Sequence, residues 1–240
     1  MLNLFKLASV LVSGDTPYVI RGGQTDYKRI FYSDQNKALT KPITLPGGYG
    51  VIPGGSVMGI ISESTSGRTG MYVPYAPEGT THAGAGLQDA WPGITYVTQD
   101  LAVEKYARVT LEDSYRFAVG DHLCALDSAD TMTDLGAITA IDRTTYSHIA
   151  VITVSTNAAS ATVALGAIIF IQTTTSSPFT LAKGILLSSV DTGVGENAKG
   201  AQGTLVLSNA VLYQSALVGY NSDVATDLGC SSDGKYVVLK

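Results

Sequence analysis

The stretch from residue 55 to residue 77 constrains the fold more than any other feature of the chain. Two short apolar runs, residues 56–62 and 71–75, flank a turn rich in glycine and serine. Both runs are shorter than an ordinary helix. Pro74 cannot donate a backbone hydrogen bond to a strand ladder, so it fits the end of a strand or an edge strand. Short apolar runs separated by Gly and Pro are typical of β-sandwiches and barrels. The stretch predicts an all-β chain.

The same pattern continues along the chain. The segment from Asp15 to Lys41 is turn-rich and lacks a hydrophobic period, but alternating apolar residues return further on. Asn221 to Asp227 has the composition of a solvated turn, with oxygens too few and too poorly spaced for a calcium loop. Further strands are predicted at residues 43–45, 50–52, 106–111, 137–142, 147–154, 164–172 and 234–239.

Two blocks of sequence resemble the head decoration proteins of tailed phages, the lambda-type capsid cements. The first block is a Gly-x-Val-x-Gly strand at residues 55–59, followed by Tyr-Val-Pro-Tyr at residues 72–75. The second is Ala-Lys-Gly-Ile-Leu-Leu at residues 182–187, followed by residues 204–212. The resemblance covers roughly half of the chain. It implies a β-tulip-like decoration domain that binds a capsid, and it implies a homotrimer.

The spacing of the two blocks predicts the domain organisation. Simple decoration proteins pass almost directly from the first block to the second, whereas this chain interposes a strand-rich segment. We therefore predict an extended N-terminal arm at 1–41 and a discontinuous decoration domain at 42–98 and 179–240. An inserted small β-barrel is predicted at 99–178, with a role that the resemblance does not give.

The N-terminal arm supplies most of the predicted contacts with a partner. Within residues 1–14, apolar residues recur at Leu4, Leu7, Ala8 and Leu11, a helix-like spacing, and we expect this segment to dock on another surface. Residues 15–41 are interpreted as an arm that orders on a partner, with an N-terminal strand pair as the alternative. The predicted capsid contacts are Tyr18, Arg21, Tyr27, Arg29, Phe31 and Tyr32. Trp91 is the candidate for a trimer or partner interface.

Composition narrows the class of partner. Only 15% of the residues are charged while 45% are hydrophobic, which suits a surface that packs against other protein copies. The net charge is -5 and the basic residues are scattered, so no nucleic-acid partner is predicted. No apolar run is long enough to span a bilayer as a helix, and the lysine inside the N-terminal apolar run disfavours an export signal.

The chain offers few groups for chemistry, and we predict neither an enzyme nor a cofactor or metal site. It has three histidines, no nucleophile elbow and no Cys or His pair at metal-ligand spacing. The Gly-x-Gly-x-x-Ala match at 193–198 precedes further glycines and a strand rather than a helix, which disfavours a dinucleotide site. Cys124 and Cys230 are interpreted as free thiols, which suits folding in a host cytoplasm.

These observations lead to one functional hypothesis and two alternatives. The first is a capsid decoration protein on the outside of a virion, bridging subunits of a phage major capsid protein. The second is a carbohydrate-binding surface module with Trp91 and exposed tyrosines as its platform. The third is a hydrolase with cryptic acids, for which the pairs Glu112/Asp113 and Asp127/Asp130, and the single residue Asp121, are candidates.

Overall fold

The computed structural model describes residues 30–32, 38–61, 64–75, 95–98, 105–126, 132–155, 166–171, 182–230 and 236–239. Strands dominate these residues, so the all-β prediction is confirmed. The strands are β1 (Leu39–Leu45), β2 (Val51–Ile52), β3 (Val57–Ile60), β4 (Tyr72–Pro74), β5 (Thr95–Tyr96), β6 (Tyr106–Thr110), β7 (His122–Leu126), β8 (Met132–Asp142), β9 (Ile149–Val154), β10 (Ile168–Ile171), β11 (Ala182–Leu186), β12 (Val190–Asp191), β13 (Ala201–Ser208), β14 (Ala210–Tyr213) and β15 (Tyr236–Leu239).

The first large sheet has five antiparallel strands in the order β1-β13-β11-β3-β4. It curls so that its two edge strands approach, with the Lys41 Nζ of β1 lying 5.7 Å from the ring centroid of Tyr72 on β4. Gly184 lies where β11 pairs with its neighbour β13, and a Cβ there would lie 2.6 Å from the Val206 carbonyl oxygen. Only glycine therefore fits at this point of the Ala-Lys-Gly-Ile-Leu-Leu strand.

The second large sheet has six strands in the order β5-β10-β7-β8-β9-β6. Strands β6 and β9 have the period-2 burial of half-buried strands: in β9, Ala150, Ile152 and Val154 are buried and the residues between them are half-buried. Strand β10 is buried throughout. The sheet is built almost entirely from the predicted insert, although its first strand, β5, lies just before residue 99.

The predicted small barrel is corrected to an open, curved sheet. The described parts of its edge strands approach each other beside Thr98, whose backbone N–H and hydroxyl donate to the Arg108 carbonyl at 2.8 and 3.1 Å. Among the described residues no strand ladder joins β5 to β6. The physical reason is that β5 contributes only two ladder residues, too few to pair along the length of β6.

Smaller elements flank the two sheets. β2 pairs antiparallel with β12, and β14 pairs with β15 as a parallel ladder. The predicted turn at 221–227 is instead a short α-helix, α1 (Ser222–Asp227). The helix forms because the Asn221 side chain caps it, accepting a hydrogen bond from the Val224 backbone N–H at 2.8 Å.

One hydrophobic cluster runs continuously through both large sheets. Each buried Leu or Ile in such a cluster contributes about 1.5–3 kcal/mol relative to an exposed position. Its members include Ile43, Leu45, Met58, Leu186 and Leu205 from the five-stranded sheet, and Val109, Leu123, Leu135, Ile138 and Ile152 from the six-stranded sheet.

A buried ion pair also joins the two sheets. Arg68 lies in the connection between β3 and β4, and its Nη1 donates to the Asp121 Oδ2 at 2.6 Å, just before β7. Nearby, Arg116 Nε donates to the Gly48 carbonyl at 3.2 Å. Strands from both predicted decoration segments thus share one sheet, and that sheet shares its core with the insert. The division of the chain into a decoration domain and an insert stays a prediction.

Both cysteines are free thiols, as predicted. Cys124 is fully buried on β7, where its Sγ lies 3.1 Å from the Thr133 carbonyl oxygen, and burial raises the pKa of its thiol to about 12. Burial also raises the pKa of Cys230, which is only half-buried.

We expect Cys124 to resist alkylation in the folded protein. Alkylating reagents attack the thiolate, and the buried Cys124 thiol is neither ionised nor accessible to the reagent. Mass spectrometry after iodoacetamide treatment at about pH 8 should find Cys230 modified first and Cys124 modified only with unfolding. Because the fold favours the neutral Cys124 thiol, its stabilising contribution is complete below the ordinary pKa of 9.0 and disappears as the pH approaches about 12. Equal alkylation rates for Cys124 in folded and denatured chains would contradict the burial.

Candidate interaction surface

An exposed apolar face lies on the small sheet that contains β14 and β15. Tyr32 is 58% exposed, Val237 48% and Tyr213 37%. The half-buried Val211 and Leu239 complete the face, because they pair with Val237 and Tyr213 across the ladder and so point to the same side. We call these five residues the aromatic face.

The first described residues lie beside β14, at the edge of this two-stranded sheet. Phe31 bridges Leu212 in an antiparallel sense, and the Tyr32 backbone N–H donates to the Val211 carbonyl at 2.8 Å. Side chains alternate along these residues, so Phe31 and Leu212 are buried while Tyr32 meets Tyr213 on the outer side. The two tyrosine rings pack edge to face with centroids 5.3 Å apart.

The buried side of the small sheet is fixed to the five-stranded sheet. Tyr236 donates its hydroxyl to the Val206 carbonyl at 2.6 Å, and burial raises the pKa of this phenol. Beneath the sheet, Val224 and Leu228 of the α1 region are buried in a second hydrophobic cluster, which also contains Tyr236 and Val206. Asp227 accepts a hydrogen bond from the Ala182 backbone N–H at 2.9 Å, which ties α1 to β11. The aromatic face is therefore presented on a rigid support.

The chemistry of the aromatic face is that of a protein-binding surface. It has no charged side chain among its five members, and its two phenol hydroxyls give it polar edges. Exposed apolar and aromatic residues that lie together, rather than singly, mark interaction sites.

The predicted contact residues do not all lie on the surface that the structure describes. Phe31 is 8% exposed and packs in the core beside Ile30, whereas Tyr32 lies on the surface within the aromatic face. The other candidates, Tyr18, Arg21, Tyr27, Arg29 and Trp91, lie outside the described residues.

Of the candidate acids for hydrolysis, Asp121 and Asp113 have structural partners, while Asp127 and Asp130 lie outside the described residues. Asp121 is completely buried and accepts hydrogen bonds from Arg68, from the Ser64 hydroxyl at 2.9 Å and from the Ala118 backbone N–H at 2.8 Å. A substrate cannot reach it. Asp113 pairs with Arg116 at 2.9 Å at the surface of a 3-10 turn.

A second group of polar side chains lines a shallow cleft of about 380 Å³ between the β8–β9 hairpin, the 113–116 turn and the 195–197 turn. Its residues include Glu112, Tyr115, His148 and Glu196. Within the described part of the chain, no three His, Cys, Asp or Glu side chains gather where they could hold a metal ion. In the same residues, no helix has the length and apolar character needed to cross a membrane.

The sequence did not point to Tyr213, Val237 or Leu239 as surface residues. The signal that could have found them is the alternation within 210–213 and 236–239, which places one apolar set inward and a second apolar set outward. Their proximity to Tyr32 depends on pairing across about 180 residues, and no local pattern reports that pairing.

Comparison of the chain with protein-family models, with curated proteins and with solved structures found no match.

Proposed function

We propose that the chain is a virion structural protein that binds the outside of a phage capsid and bridges subunits of the major capsid protein as a decoration protein. The observation that carries this proposal is the meeting of the two resembling blocks in one sheet. The Gly-x-Val-x-Gly block forms β3, the Ala-Lys-Gly-Ile-Leu-Leu block forms β11, and these strands are direct neighbours. Two blocks far apart in sequence are thus adjacent, as parts of one decoration domain would be.

The aromatic face supplies a physical route to binding. A capsid subunit that covers Tyr32, Tyr213 and Val237 would remove exposed apolar area from water, at about 25 cal/mol for each Å² buried. Each contact can be weak, because a homotrimer would engage the shell at several points at once and the linked contacts reinforce one another. In this proposal the protein acts on the virion exterior after assembly in the host cytoplasm.

Co-sedimentation with phage heads tests the proposal directly. The purified chain is mixed with expanded, undecorated heads of its parent phage and, in parallel, with unexpanded proheads. Saturable binding to expanded heads at a fixed number of copies per shell is the expected result. Absence of binding to both particles, together with elution of the chain as a stable monomer, would contradict the proposal.

The double variant Tyr32→Asp and Tyr213→Asp should lose head binding, because two buried charges at a protein interface without partners each cost several kcal/mol. The matched control is Tyr146→Asp, which changes a tyrosine of similar exposure, 53%, in the β8–β9 connection. For the double variant and for the control, the protein that pellets with expanded heads is quantified. Circular dichroism confirms that each variant is folded. Undiminished binding by the double variant would remove the aromatic face from the proposal.

Truncation of the arm needs a boundary set by the structure. Removing residues 1–41 would delete the buried Ile30 and Phe31 and the first part of β1, so loss of binding could reflect unfolding. A chain that begins at Ile30 keeps every described residue. If residues 1–29 provide contacts, this shorter deletion weakens head binding while its thermal melt stays cooperative; unchanged binding would refute a role for residues 1–29.

A further inference from the structure

A groove of about 630 Å³ lies beside the aromatic face and has no assigned role. Its described lining combines the Pro53–Gly54 turn before β3 with the chain that follows β14. None of these lining residues is charged, and the side chains are mostly apolar. They are Ile30, Pro53, Gly54, Tyr213, Ser215, Ala216 and Val218.

The described chain begins at this groove. Ile30, the first described residue, contributes to the lining, and 29 residues precede it in the sequence. Those residues include the apolar set Leu4, Leu7, Ala8 and Leu11, and residues 1–14 contain a single charged side chain, Lys6. A segment with this many apolar side chains is stabilised when an apolar surface covers them.

We propose that this groove is the docking site for the N-terminal segment, residues 1–14, of the same chain. The match is one of chemistry, because the groove is uncharged and largely apolar, and the segment is mostly apolar with a single charged side chain. The match is also one of reach. Residues 15–29 connect the segment to Ile30 and can span at most about 50 Å when fully extended, so the segment can return to a groove at its own point of attachment.

The proposal is independent of capsid binding. It concerns the free protein, and it assigns a role to residues 1–14 that differs from the predicted capsid contacts between Tyr18 and Tyr32. Failure of the head-binding experiment would leave it standing, and its own failure would leave the aromatic face available to a capsid.

Photo-cross-linking of the full-length free protein tests the docking. A photo-reactive amino acid replaces Leu7, the purified chain is irradiated at low concentration, and cross-linked peptides are mapped by mass spectrometry. Cross-links from position 7 to residues 213–218 within a monomeric species are the expected result. Cross-links confined to a covalent dimer, or found only elsewhere in the chain, would overturn the proposal.

Two matched substitutions sharpen the result. Ser215→Glu puts a charge into the groove at an exposed position and should remove the cross-links to 213–218. Ser147→Glu places the same charge at an exposed position in the β8–β9 connection and should leave them intact. Equal cross-linking in Ser215→Glu and Ser147→Glu would show that position 7 contacts the region without using the groove, and that outcome would also overturn the proposal.

Discussion

Replacing Asp121 with Asn is expected to lower the free energy of unfolding by about 3–5 kcal/mol, the usual cost of breaking a buried ion pair by changing one partner. The side chain of Asp121 is 0% exposed and that of Arg68 is 11% exposed. The substitution leaves the guanidinium in the protein interior without its counter-charge.

The loss should exceed that of a single hydrogen bond because Asp121 is the centre of a network. Its carboxylate accepts from Arg68, Ser64, Ser66 and the Ala118 backbone N–H. An amide has one acceptor oxygen where the carboxylate has two, and its NH₂ group would face donors. Groups left unsatisfied in a buried network cost more than the pairs taken singly.

Asp113→Asn is the matched control, since it removes the same charge from an ion pair at the surface. Its partner Arg116 lies 2.9 Å away, and both side chains keep contact with water, at 17% and 25% exposure. Exposed pairs contribute about 0–1 kcal/mol. Chemical denaturation of both variants gives the comparison, and a loss in Asp121→Asn no larger than in Asp113→Asn would contradict the structural role of the buried pair.

The Asp121 network also bears on how the chain unfolds. Arg68 belongs to the connection within the five-stranded sheet, and Asp121 precedes the central strand β7 of the six-stranded sheet. The continuous hydrophobic cluster follows the same route. Because the two sheets share a core and a buried ion pair, unfolding of one sheet destabilises the other. This coupling favours one cooperative transition over separate melting of an insert.

The sequence predicted the elements whose signal is local. Alternation identified β6 and β9, and the Tyr-Val-Val-Leu run identified β15, because a half-buried strand shows its period within a few residues. The helix α1 was missed because its local signal is too short. Six residues contain fewer than two turns, so no helical period can be read from them, and only the Asn221 cap gave a signal.

The aromatic face and the ion pair could not be predicted because each depends on long-range pairing. Tyr32 reaches Tyr213 only through the alignment of residue 31 with β14. Asp121 was considered as a catalytic acid from its sequence neighbours, yet its environment is set by a loop that lies more than fifty residues earlier. Barrel closure failed as a prediction because strand number can be counted from sequence, whereas the length of the closing ladder cannot.

Gly48→Ala is the second substitution with a large expected effect, because the position requires glycine for two independent reasons. Gly48 has φ of +99°, where a side chain is strained by about 1–3 kcal/mol. A Cβ there would also lie 2.7 Å from the backbone atoms of Tyr115 and Arg116 in the neighbouring 3-10 turn. Displacing packed backbone costs about 1–3 kcal/mol more, so we expect a total loss of about 2–6 kcal/mol.

Gly67→Ala separates the two causes. Gly67 has a similar φ of +81°, yet no atom lies within 4 Å of the position its Cβ would take. This control should carry only the strain, about 1–3 kcal/mol. Thermal unfolding compares the variants, since each kcal/mol lowers the Tm by about 2–4 °C at this chain length. Equal Tm values would mean that the 113–116 turn moves freely away from Gly48. A lower Tm for Gly48→Ala would mean that the close approach of this turn to Gly48 stabilises the packing of the two sheets.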